Sequence, residues 1–434
     1  FGGGSNLRCD NPFLTAQAYS TLQSIGRCPT TVAFGAPNTT TFNISRNNVD
    51  LGIRSEVNTR ETFRVVGGIE GRFNDDWRYE LAVNYGSFTG STVSKNNLLL
   101  FKPDGSNAGF LNSLDAARNG AGQIVCRINS VTVTDAACVP FNPFGSNTTP
   151  NLQAVRNYVN VDSLYLQKAS QLVVSGFVSG DLSQLFELPG GPISFAVGGE
   201  YREERGSTAA DENTEQGLTF LTALTSVQYP ALKVKDIYGE IRIPVVRDKP
   251  FFNVLEFAGA YRLSDYNNST GKTNSYNASV FYSPVSGLSF RAAYARAVRA
   301  PTPSDLFDPI GQNFAQIADP CDVQNISNGP NRVANCRAAG VPVGFINTPA
   351  RSATLSFSQG GNPFLTPEQS TSFTFSTVLQ PRFIPNFTLV LDYYEIEITD
   401  VIAFISAQTA ADNCVSAASL NTAACSVIFR NNPG

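Results

Sequence analysis

The side chains best placed to do chemistry in this sequence are the carboxylates of the segment Glu200-Tyr201-Arg202-Glu203-Glu204. Clustered carboxylates can act as general acids and bases. On a β-strand, however, alternate residues point to opposite faces, so these acids are divided between two surfaces, and no nucleophile or base accompanies them. The sequence contains no histidine, which excludes histidine metal sites and Ser-His catalysis within it. We therefore predict no catalytic residue, no metal site, no cofactor and no enzymatic activity.

The eight cysteines are the second candidate for chemistry, and they fall into four pairs that are close in sequence. These pairs are Cys9 and Cys28, Cys126 and Cys138, Cys321 and Cys336, and Cys414 and Cys425. Local disulfides are the simplest explanation; zinc is the competing one, but it lacks both a CxxC spacing and a histidine. Disulfides imply an oxidising, extracytoplasmic compartment. We expect all eight cysteines outside the strands, in long loops.

The elements that carry these residues are predicted to be β-strands that cross a membrane. In the segment from Trp77 to Tyr85, one face carries Trp77, Tyr79, Leu81, Val83 and Tyr85, and the other carries Arg78, Glu80, Ala82 and Asn84. An apolar row bracketed by aromatic residues is typical of a strand that crosses a lipid layer about 25 Å thick. The pattern recurs about ten times. It therefore favours an all-β fold, a transmembrane antiparallel up-and-down β-barrel, over a soluble sandwich.

The polar faces of these strands carry charges of both signs, which suits a wet lumen better than a packed core. The candidates for lumen-facing charges are Arg64, Glu70, Arg72, Arg78, Glu80, Glu200, Arg202, Glu240, Arg242, Glu256, Arg262 and Arg291. Two interpretations stay open for them. They line a substrate path, or they are ordinary wall charges that hold water.

The connections between strands alternate between short and long. The short connections are residues 74–76, 187–191, 247–250, 283–287 and 381–385, and the long ones are roughly 95–161, 206–233 and 302–368. Short turns on one side and long loops on the other are characteristic of outer-membrane barrels. We therefore expect short periplasmic turns and long, disulfide-braced extracellular loops.

Composition narrows the alternatives further. Only 15% of the 434 residues are charged, and no run approaches the roughly 18 consecutive apolar residues of a membrane helix. The formal net charge of −4 gives no basic surface, so no nucleic-acid partner is predicted. The sequence has no methionine and does not begin with a secretory signal. We expect an internal piece of a longer precursor, because about ten strands are too few for a wide barrel.

Two motifs carry a resemblance to a known family. Arg299-Ala300-Pro301, followed by Leu306-Phe307, resembles the "RAP…eLf" segment of TonB-dependent outer-membrane receptors, and GNPFLTPE at 361–368 is similar to that family's GNPxLxPE segment. The motif residues are Arg299, Ala300, Pro301, Leu306, Phe307, Gly361, Asn362, Pro363, Leu365, Pro367 and Glu368. The strands that follow, at 371–379 and 387–394, also look like the family. The resemblance covers roughly Asn58 to the C-terminus.

The resemblance implies a 22-stranded barrel with an N-terminal plug, driven by the TonB–ExbB–ExbD complex. Residues 1–434 would then be a partial barrel domain that lacks the plug, the TonB box and the terminal strands. The implied location is the outer membrane of a Gram-negative bacterium, in contact with its lipid. The implied cargo is a scarce small-molecule nutrient such as a ferric siderophore, cobalamin, an oligosaccharide or another organic substrate. The loops and the Asp392-Tyr393-Tyr394 segment look most like alphaproteobacterial nutrient receptors.

The resemblance also indicates where a substrate would bind, namely the external loops and the upper lumen, although the binding residues themselves stay unknown. The loop aromatics that could contribute are Phe101, Phe110, Phe141, Phe144, Phe314 and Phe345, unless they pack the loops onto one another. We expect the two motifs to have a structural role. Pro301 has no backbone N–H to donate to a neighbouring strand, and residues 361–363 are of types that favour turns. A passive porin and a secreted soluble β-protein, such as an adhesin, remain alternative functions.

Overall fold

The computed structural model describes residues 4–74, 76–145, 148–220, 223–347 and 355–430. The strands in chain order are β1 Gly4–Arg8, β2 Thr41–Ser45, β3 Ser55–Phe73, β4 Trp77–Leu98, β5 Ala116–Arg118, β6 Ile124–Cys126, β7 Asn160–Asp181, β8 Ser194–Ala210, β9 Val227–Gln228, β10 Leu232–Lys249, β11 Phe252–Tyr266, β12 Lys272–Val285, β13 Leu288–Arg299, β14 Gly311–Ala315, β15 Leu355–Gln359, β16 Glu368–Leu379 and β17 Leu389–Thr399. The helices are α1 Ala16–Ser24, α2 Gly109–Leu114, α3 Leu152–Val159, α4 Glu212–Glu215, α5 Pro303–Phe307, α6 Arg332–Ala338, α7 Ala407–Ser416 and α8 Ala423–Ser426. Among the described helices, none combines the length and the apolar composition that crossing a membrane would take.

Most strands join one large antiparallel sheet of the up-and-down type. Its hydrogen-bonded order is β17-β16-β13-β12-β11-β10-β8-β7-β4-β3, and β9 pairs with β8. Apart from the intervening short strands, neighbours in the sheet are neighbours in the sequence. β3 and β17 stand at opposite ends of this order, and no described residue of one pairs with the other. The expectation of about ten antiparallel strands, with the first and last strands not joined, is confirmed.

The two faces of this sheet differ in polarity, as the alternation predicts. Residues paired across two neighbouring strands lie on the same face of the sheet. Ile237 pairs with Leu263 on one face, and Tyr238 pairs with Arg262 on the other. Ile237 is 68% exposed and Leu81 is 54% exposed, so these apolar side chains are not covered by the chain itself. We call the side of Ile237, Phe257 and Tyr294 the apolar face. We call the side of Glu200, Asp236 and Arg262 the polar face.

The connections depart in length from the sequence expectation. β10 and β11 are joined by the two residues Pro250 and Phe251, and β12 and β13 by Ser286 and Gly287. Gly287 has a positive φ of 89°, and an added Cβ would lie 2.4 Å from the Gln380 carbonyl oxygen, so only glycine fits there. The connections 182–193 and 380–388 are longer than expected. Asp75, in the expected turn 74–76, lies outside the described residues.

The four disulfides pair the cysteines that are close in sequence. They are Cys9–Cys28, Cys126–Cys138, Cys321–Cys336 and Cys414–Cys425. The expectation that all cysteines lie outside strands was wrong for Cys126, which ends the short strand β6. β6 pairs only with β5 among the described residues and is separate from the large sheet. The β5–β6 hairpin lies within the long connection between β4 and β7, where backbone pairing between nearby segments forms a short strand that the alternating pattern did not indicate.

The chain divides into two compact units, and the first consists mainly of connecting segments. Unit 1 comprises Phe1–Phe63, Ser87–Ala169 and Gly206–Gln228. Its hydrophobic core includes Leu7, Phe42, Phe110, Phe141 and Val155, all buried. Leu7 and Phe42 are partners in the β1–β2 hairpin, which therefore presents one apolar face to this core. The segments expected to be irregular loops thus fold around a core of their own.

Unit 2 comprises Arg64–Gly86, Ser170–Arg205 and Tyr229–Gly434. Besides strands of the large sheet, it holds a helical cluster in which Cys321, Cys336, Cys414 and Val415 are buried together. Asn335 of α6 donates hydrogen bonds to the carbonyl oxygens of Val415 at 3.0 Å and Ala417 at 2.8 Å. The connection between β13 and β16 and the segment after β17 therefore share one small core.

Candidate functional site

The most extensive polar contact on the sheet is an ionic cluster on β8, β10 and β11. Arg262 donates a hydrogen bond from Nε to Asp236 Oδ1 at 3.1 Å, and its Nη2 lies 2.8 Å from Asp236 Oδ2 in an ion pair. The same Nη2 lies 3.4 Å from Glu200 Oε1. Ser264 donates its hydroxyl to Asp236, whose side chain is only 1% exposed. One guanidinium thus holds two carboxylates, one of them buried.

Strand register explains why these residues meet. Asp236 is the partner of Glu200 on β8 and of Ser264 on β11, and Tyr238 is the partner of Arg262. Arg262 also lies over the Tyr238 ring, 5.7 Å from its centre, in a cation–π contact. Sequence reasoning selected Glu200 and Arg262 but missed Asp236. The sequence did contain the information needed to select Asp236. It lies an even number of residues from the selected Glu240 and Arg242, so its side chain points to the same face of the strand.

Most of the remaining lumen candidates lie in small local groups, and Arg202 also lies 4.0 Å from Glu200 at the edge of the ionic cluster. The pairs are Arg78 with Glu70 at 2.7 Å and with Glu80 at 3.1 Å, Arg242 with Glu256 at 2.6 Å, and Arg202 with Glu204 at 3.2 Å. Arg64 donates to Asn84 at 3.0 Å. Arg72, Glu240 and Arg291 form no ion pair with a described residue. Opposite charges thus lie side by side both across neighbouring strands and along one strand, a pattern that fits wall charges.

The loop aromatics divide into buried and exposed groups. Phe110 and Phe141 are buried in the core of unit 1 with ring centres 6.3 Å apart, and Phe144 stacks on Phe42 at 6.5 Å. For these, the contacts agree with the packing interpretation. Phe101 is 36% exposed and Phe314 is 42% exposed. Phe345 is half-buried, and its carbonyl oxygen accepts a hydrogen bond from the backbone N–H of Val323.

Unit 1 contains a cleft of about 460 Å³, within the usual size range of small-molecule pockets. We call it the unit 1 cleft; it is lined by Asn6, Arg8, Thr41, Asn48, Leu98, Leu100, Phe101, Asn107, Phe110, Leu111, Leu114, Asp115 and Phe220. Apolar side chains form its floor, while charged and amide side chains stand at its rim. Sequence reasoning selected Phe101 and Phe110 but could not find the cleft, because it joins residues more than 200 positions apart.

The charges next to this cleft are held by a fixed ion-pair network. Arg127 donates from Nε to Asp115 at 2.8 Å and from Nη2 to Asp10 at 2.7 Å. Burial lowers the pKa of Arg127, but the hydrogen bonds to Asp115 and Asp10 outweigh it, so the net shift is upward. Arg8 lies 3.8 Å from Asp115, beyond hydrogen-bond distance. Arg127 therefore stays protonated at neutral pH.

The two sequence motifs meet in space. Arg299 and Glu368 are register partners on β13 and β16, and the backbone N–H of Asn362 donates to the Asp305 carbonyl oxygen at 2.8 Å. An added Cβ on Gly361 would lie 2.6 Å from the backbone of Leu306, so the close approach requires glycine. Thr302 and Asp305 cap α5 reciprocally. These contacts hold the two ends of the β13–β16 connection together, as a structural role requires.

Among the described residues, no group of three or more Cys, Asp or Glu side chains is arranged to hold a metal ion.

Comparisons with known proteins place the chain in a family. The model "TonB dependent receptor-like, beta-barrel" matches residues 11–433. No curated protein sequence matches the chain. Similar solved structures include a mutant ferric enterobactin receptor (PfeA) from Pseudomonas aeruginosa, with 14% identity, a TM-score of 0.42, and coverage of 79% of this chain and 35% of that chain.

Two further solved structures are also similar to this chain. The siderophore receptor PirA from Acinetobacter baumannii has 12% identity and a TM-score of 0.42, over 79% of this chain and 35% of that one. The RagAB peptide transporter has 11% identity and a TM-score of 0.37, over 80% of this chain and 30% of that one. The chain spans about a third of the length of these structures. Because the family model matches nearly the whole chain, the chain belongs to the TonB-dependent receptor family and forms part of its β-barrel.

Proposed function

We propose that this protein is an outer-membrane receptor that takes up a scarce small-molecule nutrient with energy supplied through TonB, ExbB and ExbD. The observation that carries the proposal is the family match over residues 11–433. The two-faced sheet supports it, because an exposed apolar face suits lipid and a charged face suits a wet interior. In this proposal, residues 1–434 all belong to the barrel domain, and the plug and TonB box lie in sequence outside it.

Each face then has a stated role. The apolar face, including Ile237 and Leu81, contacts outer-membrane lipid, and the polar face, with Arg262 and Asp236, lines the lumen or contacts the plug. Unit 1 and the helical cluster of unit 2 contain the long connections and the four disulfides. We place these connections on the extracellular side of a Gram-negative cell, where disulfides form and protect loops from proteolysis.

The cargo class is left open at this level. Ferric siderophores, cobalamin, oligosaccharides and other organic nutrients are all compatible with the scaffold, since a fold does not select among them. The structural relatives are named as siderophore receptors and a peptide transporter, but their likeness to this chain is too low to choose a cargo.

Energy dependence is the property that tests the proposal. Cells that express the complete receptor are supplied with a panel of labelled nutrients, and uptake is measured with and without a protonophore and in a strain that lacks TonB. We expect uptake of one class that both treatments abolish. Uptake that persists in the strain without TonB would instead identify a passive channel. A receptor that stays in solution without detergent would identify a secreted β-protein.

A further inference from the structure

We propose that the unit 1 cleft binds a small amphipathic monocarboxylate, with its apolar body on the floor of the cleft and its carboxylate at Arg8. The proposal rests on the proposed function, because it names a substrate class and a binding site for the same uptake. It is carried by the cleft itself, its apolar floor and the position of Arg8, whose guanidinium donates no hydrogen bond to a side chain or backbone atom of the described residues.

The floor of the cleft is built to accept an apolar body. Leu100, Leu111 and Phe220 line the cleft, are partly buried and pack against the core of unit 1. The backbone beneath is already paired, since the N–H of Phe110 donates to the Leu99 carbonyl oxygen at 2.8 Å. The floor therefore offers apolar contact without further hydrogen bonds, and a ligand bound there gains from leaving water.

Phe101 stands at the rim of the same cleft. It is 36% exposed, whereas Phe110 is buried. An exposed aromatic ring beside an apolar floor adds contact area for a flat or branched ligand body. The cleft of about 460 Å³ accommodates a bicyclic aromatic molecule or an aliphatic chain of similar size.

Arg8 is positioned at the cleft by the alternation of β1. Leu7 and Cys9 are buried, and Arg8 lies between them on the side that lines the cleft. The Cys9–Cys28 disulfide ties this strand to the segment after α1. Arg8 is thus the last residue of a paired strand and is followed directly by a disulfide-bonded cysteine.

The donors of Arg8 are available to a ligand. No described residue accepts a hydrogen bond from its guanidinium; the nearest carboxylate, that of Asp115, is 3.8 Å away and is already held by Arg127 at 2.8 Å. The guanidinium of Arg46 donates to Asn48 at 2.9 Å and Asp50 at 2.7 Å, and that of Arg127 donates to Asp115 and Asp10. A guanidinium with free donors binds a carboxylate at two points more strongly than a neutral acceptor.

Asp115 limits the charge of the ligand. Its carboxylate stands at the same rim, so a second negative group on the ligand would be repelled. An arginine that donates no hydrogen bond to the described part of the chain, one fixed carboxylate and an apolar floor together favour a single carboxylate on an apolar body. Thr41, the register partner of Arg8, adds a hydroxyl next to that carboxylate.

The test uses the complete receptor in detergent micelles, with 2-naphthoate and its neutral counterpart 2-naphthamide as probes. Binding is measured by equilibrium dialysis, and partition into empty micelles is subtracted. We expect saturable binding of both, with naphthoate about tenfold tighter than the amide. Arg8→Gln should remove that preference. Phe101→Ala, a substitution at an exposed position, should weaken both probes alike by several-fold.

The matched control is Arg118→Gln, which changes an exposed arginine of the same unit that lies outside the cleft. It should leave both affinities unchanged. Absence of saturable binding, a preference for naphthoate that survives Arg8→Gln, or an equal loss in Arg118→Gln would each overturn the assignment of the cleft. TonB-dependent uptake is measured on the same variants. Uptake that continues without TonB overturns the proposed function. The binding measurements with naphthoate test the cleft as a binding site, whatever the outcome of the uptake experiment.

Discussion

Arg299 and Glu368 form a two-point ion pair between the two sequence motifs, with Nε 2.6 Å from Oε2 and Nη2 2.9 Å from Oε1. Glu368 Oε1 also accepts the backbone N–H of Ile402 at 2.7 Å. One carboxylate therefore joins the end of β13, the start of β16 and the segment that follows β17. The pair lies where the long β13–β16 connection leaves and re-enters the sheet.

Breaking this pair should loosen the β13–β16 connection. The guanidinium is half-exposed and screened by solvent, so we expect Glu368→Gln to lower the free energy of unfolding by a small amount. Arg299→Lys should lower the free energy of unfolding by nearly as much, because lysine cannot form the two hydrogen bonds that arginine makes to one carboxylate. The measurement is a double-mutant cycle by denaturant unfolding, together with the rate of protease cleavage within residues 302–367.

Arg382→Lys, in an exposed turn, is the control and should change neither quantity. Additive losses in the double mutant would show that the two residues do not act together, and the motif would then need another explanation.

The two faces of β4 should tolerate charge very differently. Leu81 is on the apolar face, four residues after Trp77, close to the middle of a span of about nine to eleven residues. Leu81→Arg should destabilise the protein by about 2–4 kcal/mol in lipid, whereas Ala82→Arg on the polar face should cost much less. Unfolding is followed in lipid vesicles by the fluorescence of Trp77. Equal penalties at the two positions would mean that the faces are wrongly assigned.

The polar face offers a matched comparison between a buried and an exposed ion pair. Asp236 is 1% exposed and pairs with Arg262, while Glu256 pairs with Arg242, which is 59% exposed. Asp236→Ala removes the buried carboxylate that pairs with the partly buried guanidinium of Arg262, and it should lower the free energy of unfolding by about 2 kcal/mol. Glu256→Ala should cost less than about 1 kcal/mol. Denaturant unfolding in detergent compares the two variants, and a larger loss for Glu256→Ala would contradict the interpretation.

Sequence reasoning recovered the features that local rules determine. Side chains alternate along a strand whatever the tertiary structure, so the faces of β4 and β10 could be predicted from parity alone. The cysteine pairs were predictable because their partners are close in sequence. The register between strands could not be predicted in this way. In the structure Glu395 is the register partner of Phe373, so its carboxylate lies on the apolar face of the sheet. No pattern within β17 reveals this, because its face is set by β16.

The candidate site was harder to predict for the same reason. The ionic cluster needs the pairing of three strands, and the unit 1 cleft brings Arg8 next to Leu98 and Phe220. Such contacts depend on how distant segments fold around a shared core, and no spacing in the sequence encodes them. Strand ends were also misplaced, because hydrogen-bonded pairing continues through residues that lack the alternating pattern.

Tyr158 of α3 should make the stability of unit 1 depend on pH in the alkaline range. Its hydroxyl donates to Asp135 Oδ2 at 2.7 Å. Burial and this hydrogen bond raise the pKa of Tyr158 to about 12, although Asn112 acts in the opposite direction. Because the folded pKa exceeds the unfolded value of 10.0, the stabilisation is fully present below pH 10 and is lost as the pH rises towards 12.

The stability difference between the native protein and Tyr158→Phe should therefore be constant below pH 10 and shrink between pH 10 and about 12. It is measured as the difference in unfolding free energy, so that the other tyrosines cancel. Asp135→Asn removes the charge that Tyr158 contacts, and the pKa of Tyr158 should then move back towards 10.0. Phenolate absorbance, compared between Asp135→Asn and its Tyr158→Phe double mutant, reports that pKa directly. A stability difference that does not change across this range would mean that Tyr158 has no raised pKa in the folded protein.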